Sequence, residues 1–245
     1  CGRVCIIGGC EDYTGAPYFS ANATALMGCD MTHVICEKDA ATVIKGYSPD
    51  LMVHPYLRMG QPGEMSKIKN LLQNMHVLVI GPGLGRDRSM LDSVKEIIAY
   101  ILEEHKGAIP IVIDADGLYL VTQDAAVRQM LSKFPQGRII LTPNVVEFGR
   151  IKKLFNEIPN DEESGAYIAR KLHCIVVEKG GKDKIFGQGN MLVNESEGSN
   201  KRVGGQGDTL TGSIACMLAF SRAMYDFKLC GEPDGDMEWL DYSLL

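Results

Sequence analysis

Several things are missing from this 245-residue sequence, and each absence excludes a class of protein. No apolar run reaches membrane-spanning length and no signal peptide is visible, so no membrane partner is expected. No block of Lys or Arg occurs, and the net charge of −6 argues against a nucleic-acid partner. Cys-x-x-Cys pairs are absent: the eight cysteines lie scattered at positions 1, 5, 10, 29, 36, 174, 216 and 230. That spacing fits neither a zinc site nor a disulfide framework. Cys5, Cys36, Cys174 and Cys216 sit within apolar runs, as reduced, buried thiols do. There is no internal repeat, no low-complexity tract and no convincing linker, which predicts a single domain over residues 1–245. An initiator Met is also missing. A chain opening at Cys1 directly before a strand-like run reads as a fragment of a longer precursor. A cytoplasmic location is expected, or a mitochondrial one where a transit peptide has been removed.

What is present alternates. The apolar runs Arg3–Ile7, His33–Cys36, Val77–Ile80, Ile111–Ile113, Ile139–Leu141 and Cys174–Val177 read as strands, with Leu51–Val53 a weaker one before His54-Pro55. Helical patterns separate them at Pro17–Met27, Leu91–Leu102, Ala125–Lys133, Val145–Phe155 and Tyr167–Leu172. A hairpin is expected at Lys184–Phe186 and Met191–Val193, turning at Gly187-Gln188-Gly189-Asn190. Asn156–Gly165 is polar and acidic, a surface loop. Strands apolar without alternation and spaced by helices predict an α/β fold, a mostly parallel sheet with helices on both faces. The 45% hydrophobic content suffices for its core. Ligands of such sheets bind beyond the C-terminal ends of the strands. Polar or glycine-rich clusters follow five of them: Gly8-Gly9, Gly81–Gly85, Asp114–Gly117, Thr142–Glu147 and Lys179–Gly181.

A sixth cluster, Gly204-Gly205-Gln206-Gly207-Asp208-Thr209-Leu210-Thr211-Gly212, is expected on the same edge. Leu210, Ile214, Met217 and Leu218 recur at helical spacing, so this stretch enters a helix with that face packed inward. Free backbone N–H groups at a helix start attract an anion, and glycines let the backbone approach it. Asp208 reads in two ways: as an N-cap, together with Thr209, or as a base for a hydroxyl attacking a phosphorus held by those amides.

The other clusters are similarly double. Gly81-Pro-Gly-Leu-Gly-Arg86 departs from the dinucleotide fingerprint where Arg86 replaces the last glycine, so it reads as a tight turn or as a contact to another ligand. Asp114 and Asp116, taken as alternating strand residues, point to one face, either capping and turning or contacting substrate. Asn144 and Glu147 at i, i+3 read as magnesium-holding groups or as an N-cap with its N3 partner. Lys179 or Lys182 reads as a phosphate contact or a solvated lysine.

Taken in order, IGGCEDYTGAPYFSANATAL, VLVIGPGLGRD, IPIVIDADGLYLV, IILTPNVVEFGRI, VVEKGGKD and VGGQGDTLTGSIA resemble the ATP- or ADP-dependent NAD(P)H-hydrate dehydratases. The Gly-Gly-Gln-Gly-Asp form resembles their eukaryotic, ATP-using branch, and the likeness runs from about Arg3 to Phe220. It implies a ribokinase-like fold and ATP-dependent repair of NADH and NADPH hydrated at C6, with ATP as co-substrate and Mg2+ as cofactor. By the same resemblance Asp208 is the base, and Gly205, Gln206 and Gly207 form the anion hole. Lys179, Gly180, Gly181, Lys182 and Asp183, with Gly198, Ser199, Asn200, Lys201, Arg202, Val203, Gly204, Gly205, Gln206 and Gly207, bind ATP. Gly85, Asn144, Val145, Val146, Glu147, Phe148, Gly149, Arg150 and Asp208 contact the hydrated dinucleotide, and Asn144 and Glu147 match an Asn-x-x-Glu magnesium motif. An NAD(P)HX epimerase is the implied functional partner, and a homo-oligomer is compatible. The family's helix before Arg3 has no counterpart here, and Asp226–Leu245 matches no pattern. Two rival readings remain: a ribokinase-like kinase of a vitamin alcohol or sugar, and a non-catalytic nucleotide-binding protein. Gly81–Arg86 and Asn144–Arg150 match the dehydratases rather than vitamin kinases, and an intact Asp208 speaks against the second rival.

Overall fold

The computed structural model describes residues 2–155, 158–159, 162–187, 189–199, 201, 203–233 and 237–244. Its strands are β1 (Arg3–Ile7), β2 (Met31–Glu37), β3 (Met52–Leu57), β4 (Val77–Ile80), β5 (Ile111–Ile113), β6 (Ile139–Leu141), β7 (Ile175–Glu178), β8 (Asp183–Phe186) and β9 (Met191–Asn194). They form one sheet in the order β3-β2-β1-β4-β5-β6-β7-β8-β9. Strands β3 through β7 pair in parallel, and β8 and β9 add an antiparallel edge. The expected hairpin is therefore present, although Gln188 of its turn lies outside the described residues, as do residues 156, 157, 160 and 161 of the acidic segment.

The strands lack polar alternation because both faces of the sheet are covered. In β1, Cys5 and Ile7 join one apolar layer while Val4 and Ile6 join the other; in β4, Leu78 and Ile80 oppose Val77 and Val79 in the same way. Helices α3 (Met65–Leu72), α4 (Arg88–Glu104), α5 (Ala115–Gln123), α6 (Ala125–Leu131), α7 (Val145–Lys152) and α8 (Ser164–Leu172) bury large aliphatics in the first layer. The second layer is closed by α1 (Gly15–Leu26), α2 (Lys38–Lys45), α9 (Gln206–Ser221) and the C-terminal α10 (Trp239–Leu244).

Three expectations need correction. Strand β3 continues through His54 and Pro55, which is tolerated because β3 is an edge strand and Pro costs no ladder bond on the open side. Helices α2 and α3 escaped notice, since eight residues with two or three inward apolar positions carry little periodic signal. The third concerns α9. Of Leu210, Ile214, Met217 and Leu218 only Leu218 is buried, and Met217 is 53% exposed. The inward face is instead Thr211, Gly212, Ala215, Cys216 and Ala219. Small residues are needed there because α9 crosses α1 at backbone contact: a Cβ on Gly212 would stand 2.0 Å from the Ser20 carbonyl oxygen. The hydroxyls of Ser20 and Thr211 hydrogen-bond at 3.0 Å, and Thr24 donates to the Gly212 carbonyl at 3.2 Å. Leu210, Ile214 and Met217 line an apolar cavity of about 250 Å³ between α9, the sheet and α10.

Candidate active site

The C-terminal ends of the central strands converge through glycine. Gly81, after β4, has φ 120°, and a Cβ there would lie 1.8 Å from the Asp114 carbonyl oxygen. Only glycine lets β4 and β5 end so close together. Asp114, 3% exposed, follows β5, and its carboxylate accepts from Lys179 Nζ at 2.9 and 3.1 Å. The Lys179 backbone N–H donates to the Pro143 carbonyl and its backbone pairs with Asn144, so the ends of β6 and β7 stay in register as far as these residues.

The alternation expected for Asp114 and Asp116 does not hold. Ala115 between them is left-handed at φ 47°, and Asp116 already lies in the first turn of α5. A non-glycine residue in that region costs roughly 1–2 kcal/mol, and such strain concentrates at functional sites. Asp114 starts α5 without a side-chain cap bond, its carboxylate being committed to Lys179. Asp116 accepts from the Gly85 backbone N–H at 3.0 Å and from Arg86 Nε at 3.1 Å, tying the glycine turn after β4 to α5.

Helix α9 begins four residues before Leu210. Its N-cap is Gly205 at φ 83°, and no side chain caps it, so neither Asp208 nor Thr209 is the N-cap. Asp208 lies instead in the first turn. Among the described residues, no acceptor meets the N–H groups of Gln206 and Gly207. These open donors form an anion-binding end. A Cβ on Gly207 would lie 3.3 Å from Lys179 Nζ and 3.6 Å from Asp114 Oδ2, which places the buried ion pair against this helix start. Burial, and then the negative charge of Asp114, push the Asp208 carboxyl up to about 6, with Lys179 opposing. At neutral pH such a carboxylate is ionised and far more basic than an ordinary aspartate. It is suited to accept a proton.

Helix α7 begins differently. Asn144 Oδ1 accepts from the N–H groups of Val146 and Glu147, both at 3.0 Å, and Glu147 Oε2 accepts from the Asn144 N–H at 2.9 Å. The capping box is complete, yet it leaves Glu147 Oε1 uncommitted. Burial, followed by the Asp114 charge, raises the Glu147 carboxyl. A divalent cation at Oε1 would relieve that excess of negative charge, so the donor chemistry fits magnesium. No set of three or more His, Cys, Asp or Glu side chains suited to a metal occurs among the described residues.

The remaining candidates separate by position. Val145 and Val146 are 67% and 62% exposed at the site's rim, Phe148 packs on the apolar layer, and Arg150 faces a groove beside α5. Gly149 has open space around it. Lys182 pairs with Glu195 on the exposed hairpin, whereas Lys179 reaches the centre. Asp183 accepts from the Gly180 N–H at 2.9 Å, closing the loop that includes Gly181. Gly198, Ser199, Lys201 and Val203 are exposed and irregular, Gly204 forms a turn, and Asn200 and Arg202 lie outside the described residues. Sequence reasoning missed the Asp114–Lys179 pair and the apolar cavity along Leu210 and Ile214. The pair was open to inference from topology, because β5 and β7 flank β6.

Known proteins resemble this chain in sequence and in fold. The family model described as NAD(P)H-hydrate dehydratase matches residues 4–233. The Saccharomyces cerevisiae ATP-dependent (S)-NAD(P)H-hydrate dehydratase is 63% identical, over 100% of this chain and 78% of the yeast protein. The Danio rerio protein of the same name is 44% identical, over 90% of this chain and 66% of its own. Among solved structures, a ribokinase-like superfamily protein from Enterococcus faecalis V583 superposes with a TM-score of 0.70 at 25% identity, covering 99% of this chain and 84% of that one. The Bacillus subtilis ADP/ATP-dependent NAD(P)H-hydrate dehydratase, co-crystallized with ATP/Mg2+, shares the fold at TM-score 0.63 and 21% identity, covering 99% and 86%. With the family model spanning nearly the whole chain and these relatives so similar to it, the chain belongs to the NAD(P)H-hydrate dehydratase family.

Proposed function

We propose that the chain catalyses the ATP-dependent dehydration of the (6S)-hydrates of NADH and NADPH, yielding NAD(P)H, ADP and phosphate. The observation that carries this reading is Asp208, an aspartate pushed up to about 6 and set in the first turn of an uncapped helix. A base beside an anion-binding end suits phosphoryl transfer to a hydroxyl.

Hydroxide leaves carbon reluctantly, so the C6 hydroxyl must first become a better leaving group. Asp208 takes its proton while the oxygen attacks the γ-phosphorus and the bond to the β-phosphate breaks, releasing ADP. The N–H groups of Gln206 and Gly207, with the freedom of Gly205, hold the charge that develops on the γ-phosphoryl oxygens. Phosphate then departs from C6, pushed by the ring-nitrogen lone pair, and loss of the C5 proton restores the dihydronicotinamide. Lys179, fixed by Asp114, gives the anion site a nearby positive charge. The loop Lys179–Asp183 and the stretch Gly198–Gly207 border the triphosphate, with the adenine against Leu210 and Ile214 in the apolar cavity. Gly85, Val145, Val146 and Arg150 line the dinucleotide's side, where Asn144, Glu147, Phe148 and Gly149 shape the α7 turn. Magnesium, when bound, supplies neutralisation and alignment of the phosphate oxygens, and Glu147 Oε1 would hold it directly or through water.

Chemical hydration yields both C6 epimers, so an NAD(P)HX epimerase is the fitting functional partner. A homo-oligomer and a cytoplasmic or mitochondrial location accompany the same reading. The test mixes the protein with hydrated NADH, ATP and magnesium and follows the near-ultraviolet absorbance of reduced nicotinamide. Recovery that needs ATP and is lost in Asp208→Asn is expected. A folded, ATP-binding protein giving no recovery would leave a kinase of another alcohol as the reading.

A further inference from the structure

Beyond Glu147 the active edge opens into a groove between α5 and α7, small at its inner end, about 100 Å³, and about 410 Å³ further out. Three cations converge on it from two elements: Arg86 from the loop after β4, Arg150 from α7, and Lys153 just beyond α7. Arg86 is held in place, with its Nε on Asp116 and its guanidinium 4.3 Å from the centre of the Tyr119 ring. Arg150 and Lys153 are spaced i, i+3 and so share a face. Among the described residues no carboxylate lies within ion-pair distance of either.

Two acidic side chains border the inner part of the groove, and both are engaged: Asp116 with Arg86 and Gly85, Glu147 with the start of α7. Bordering the outer part are Arg86, Arg150 and Lys153, with no acidic residue. In a chain of net charge −6 this local excess of positive charge is distinctive. The dipole of α7 favours cations in its last turn and accounts for Lys152 equally well. It does not account for Arg86, which approaches from another element, nor for Lys152 being absent from the groove's lining while Arg150 and Lys153 are present.

We propose that this groove binds a phosphate group of the dinucleotide substrate, remote from the reacting ring, and that Lys153, assigned no role so far, joins Arg150, already placed on the dinucleotide's side, in holding it. The inference rests on the proposed dehydratase reading: with the nicotinamide end at Asp208, the rest of the molecule leaves the centre past Glu147 and along the groove. Guanidinium and ammonium groups without a protein partner suit a phosphate, Arg as a fork and Lys as a point charge. Two phosphates of the substrate have this chemistry: the diphosphate bridge common to both hydrates, and the 2′-phosphate found only on the NADPH hydrate.

The experiment compares the parent with Lys153→Gln, Arg150→Gln and the double variant. Turnover is measured with each hydrate, and equilibrium dialysis measures binding of each hydrate without ATP. The expected result is a rise of roughly 10-fold in KM and Kd for each variant, with kcat and the KM for ATP little changed, as loss of uniform binding requires. A rise confined to the NADPH hydrate assigns the groove to the 2′-phosphate, and an equal rise with both assigns it to the diphosphate. A parent that turns over both hydrates, beside variants matching it in KM and Kd, overturns the groove and leaves the dehydratase reading intact. A parent that binds the hydrates without turning them over, with weaker binding in the variants, supports the groove and overturns that reading. Absence of both binding and turnover in the parent overturns both.

Discussion

Two helices begin on the same edge of the sheet and treat their unpaired N–H groups in opposite ways. At α7 the chain satisfies them itself, through Asn144 and Glu147 in a complete capping box. At α9 it leaves them open behind Gly205, with no side chain offered. A capped start stabilises the fold by about 1 kcal/mol, and an open start forgoes that in return for a ligand site. The carboxylates at the third helical position differ in partner: burial and the Asp114 charge raise both, but Glu147 turns back to cap its own helix whereas Asp208 does not cap. The same group completes a cap at α7 and, in the proposed reaction, takes a proton at α9.

That contrast can be broken experimentally. Asp208→Asn carries the largest expected effect, a fall in kcat on the order of 10²–10⁴-fold with the fold intact. The parent's rate should fall on the acid side with a midpoint near pH 6, because the base must be ionised and burial raises its carboxyl to about 6. The stability linkage has the opposite direction. A raised carboxyl contributes stability that is full below its unfolded value near 4 and is lost as pH rises through about 6. Asp208→Asn should therefore melt higher than the parent at pH 8, by about 1–2 kcal/mol after allowance for solvent screening, and equally at pH 4. Equal melting at both values would count against a strained carboxylate.

Next in size is Lys179→Met, which strands the Asp114 carboxylate at 4% exposure. Loss of one partner of such a pair should cost about 3–5 kcal/mol in urea unfolding, and ATP binding should weaken with it. An unchanged unfolding midpoint would remove Lys179 from the centre. Gly205→Ala is expected to cost about 1–2 kcal/mol and to slow turnover, since φ 83° disfavours a side chain and the new Cβ would meet the Phe19 ring. At the capped helix, Asn144→Ala should cost about 1 kcal/mol. Glu147→Gln, which can still accept the Asn144 N–H, should leave Tm unchanged and raise the magnesium needed for half-maximal rate. A Tm loss without a metal effect would make Glu147 purely structural.

Much of this was legible in the sequence. β1, β4, β5 and β6 coincide with their predicted bounds because strands buried on both faces are apolar throughout, save Arg3 at the very start of β1. The glycine and polar clusters were expected on one edge and do share it, since in a parallel sheet every strand end faces the same way. Less visible was anything set by residues distant in sequence. Asp114 and Lys179 are 65 residues apart and meet only because β6 inserts between β5 and β7. The inward face of α9 was misjudged because hydrophobic periodicity presumes a large-residue core, whereas a backbone-contact crossing selects Gly, Ala and Thr. Asn144 and Glu147 were ambiguous for a good reason: the capping box and the uncommitted carboxylate oxygen coexist.

The crossing of α1 and α9 bears on how the anion site responds to a nucleotide. With Gly212 on the Ser20 carbonyl and Thr211 tied to Ser20, α9 cannot slide or rotate without separating two backbones. Its N-terminus is therefore locked in orientation before any phosphate arrives. In the proposed reaction the N–H groups of Gln206 and Gly207 would then meet the transferring phosphoryl group already aligned, with no movement of α9 required.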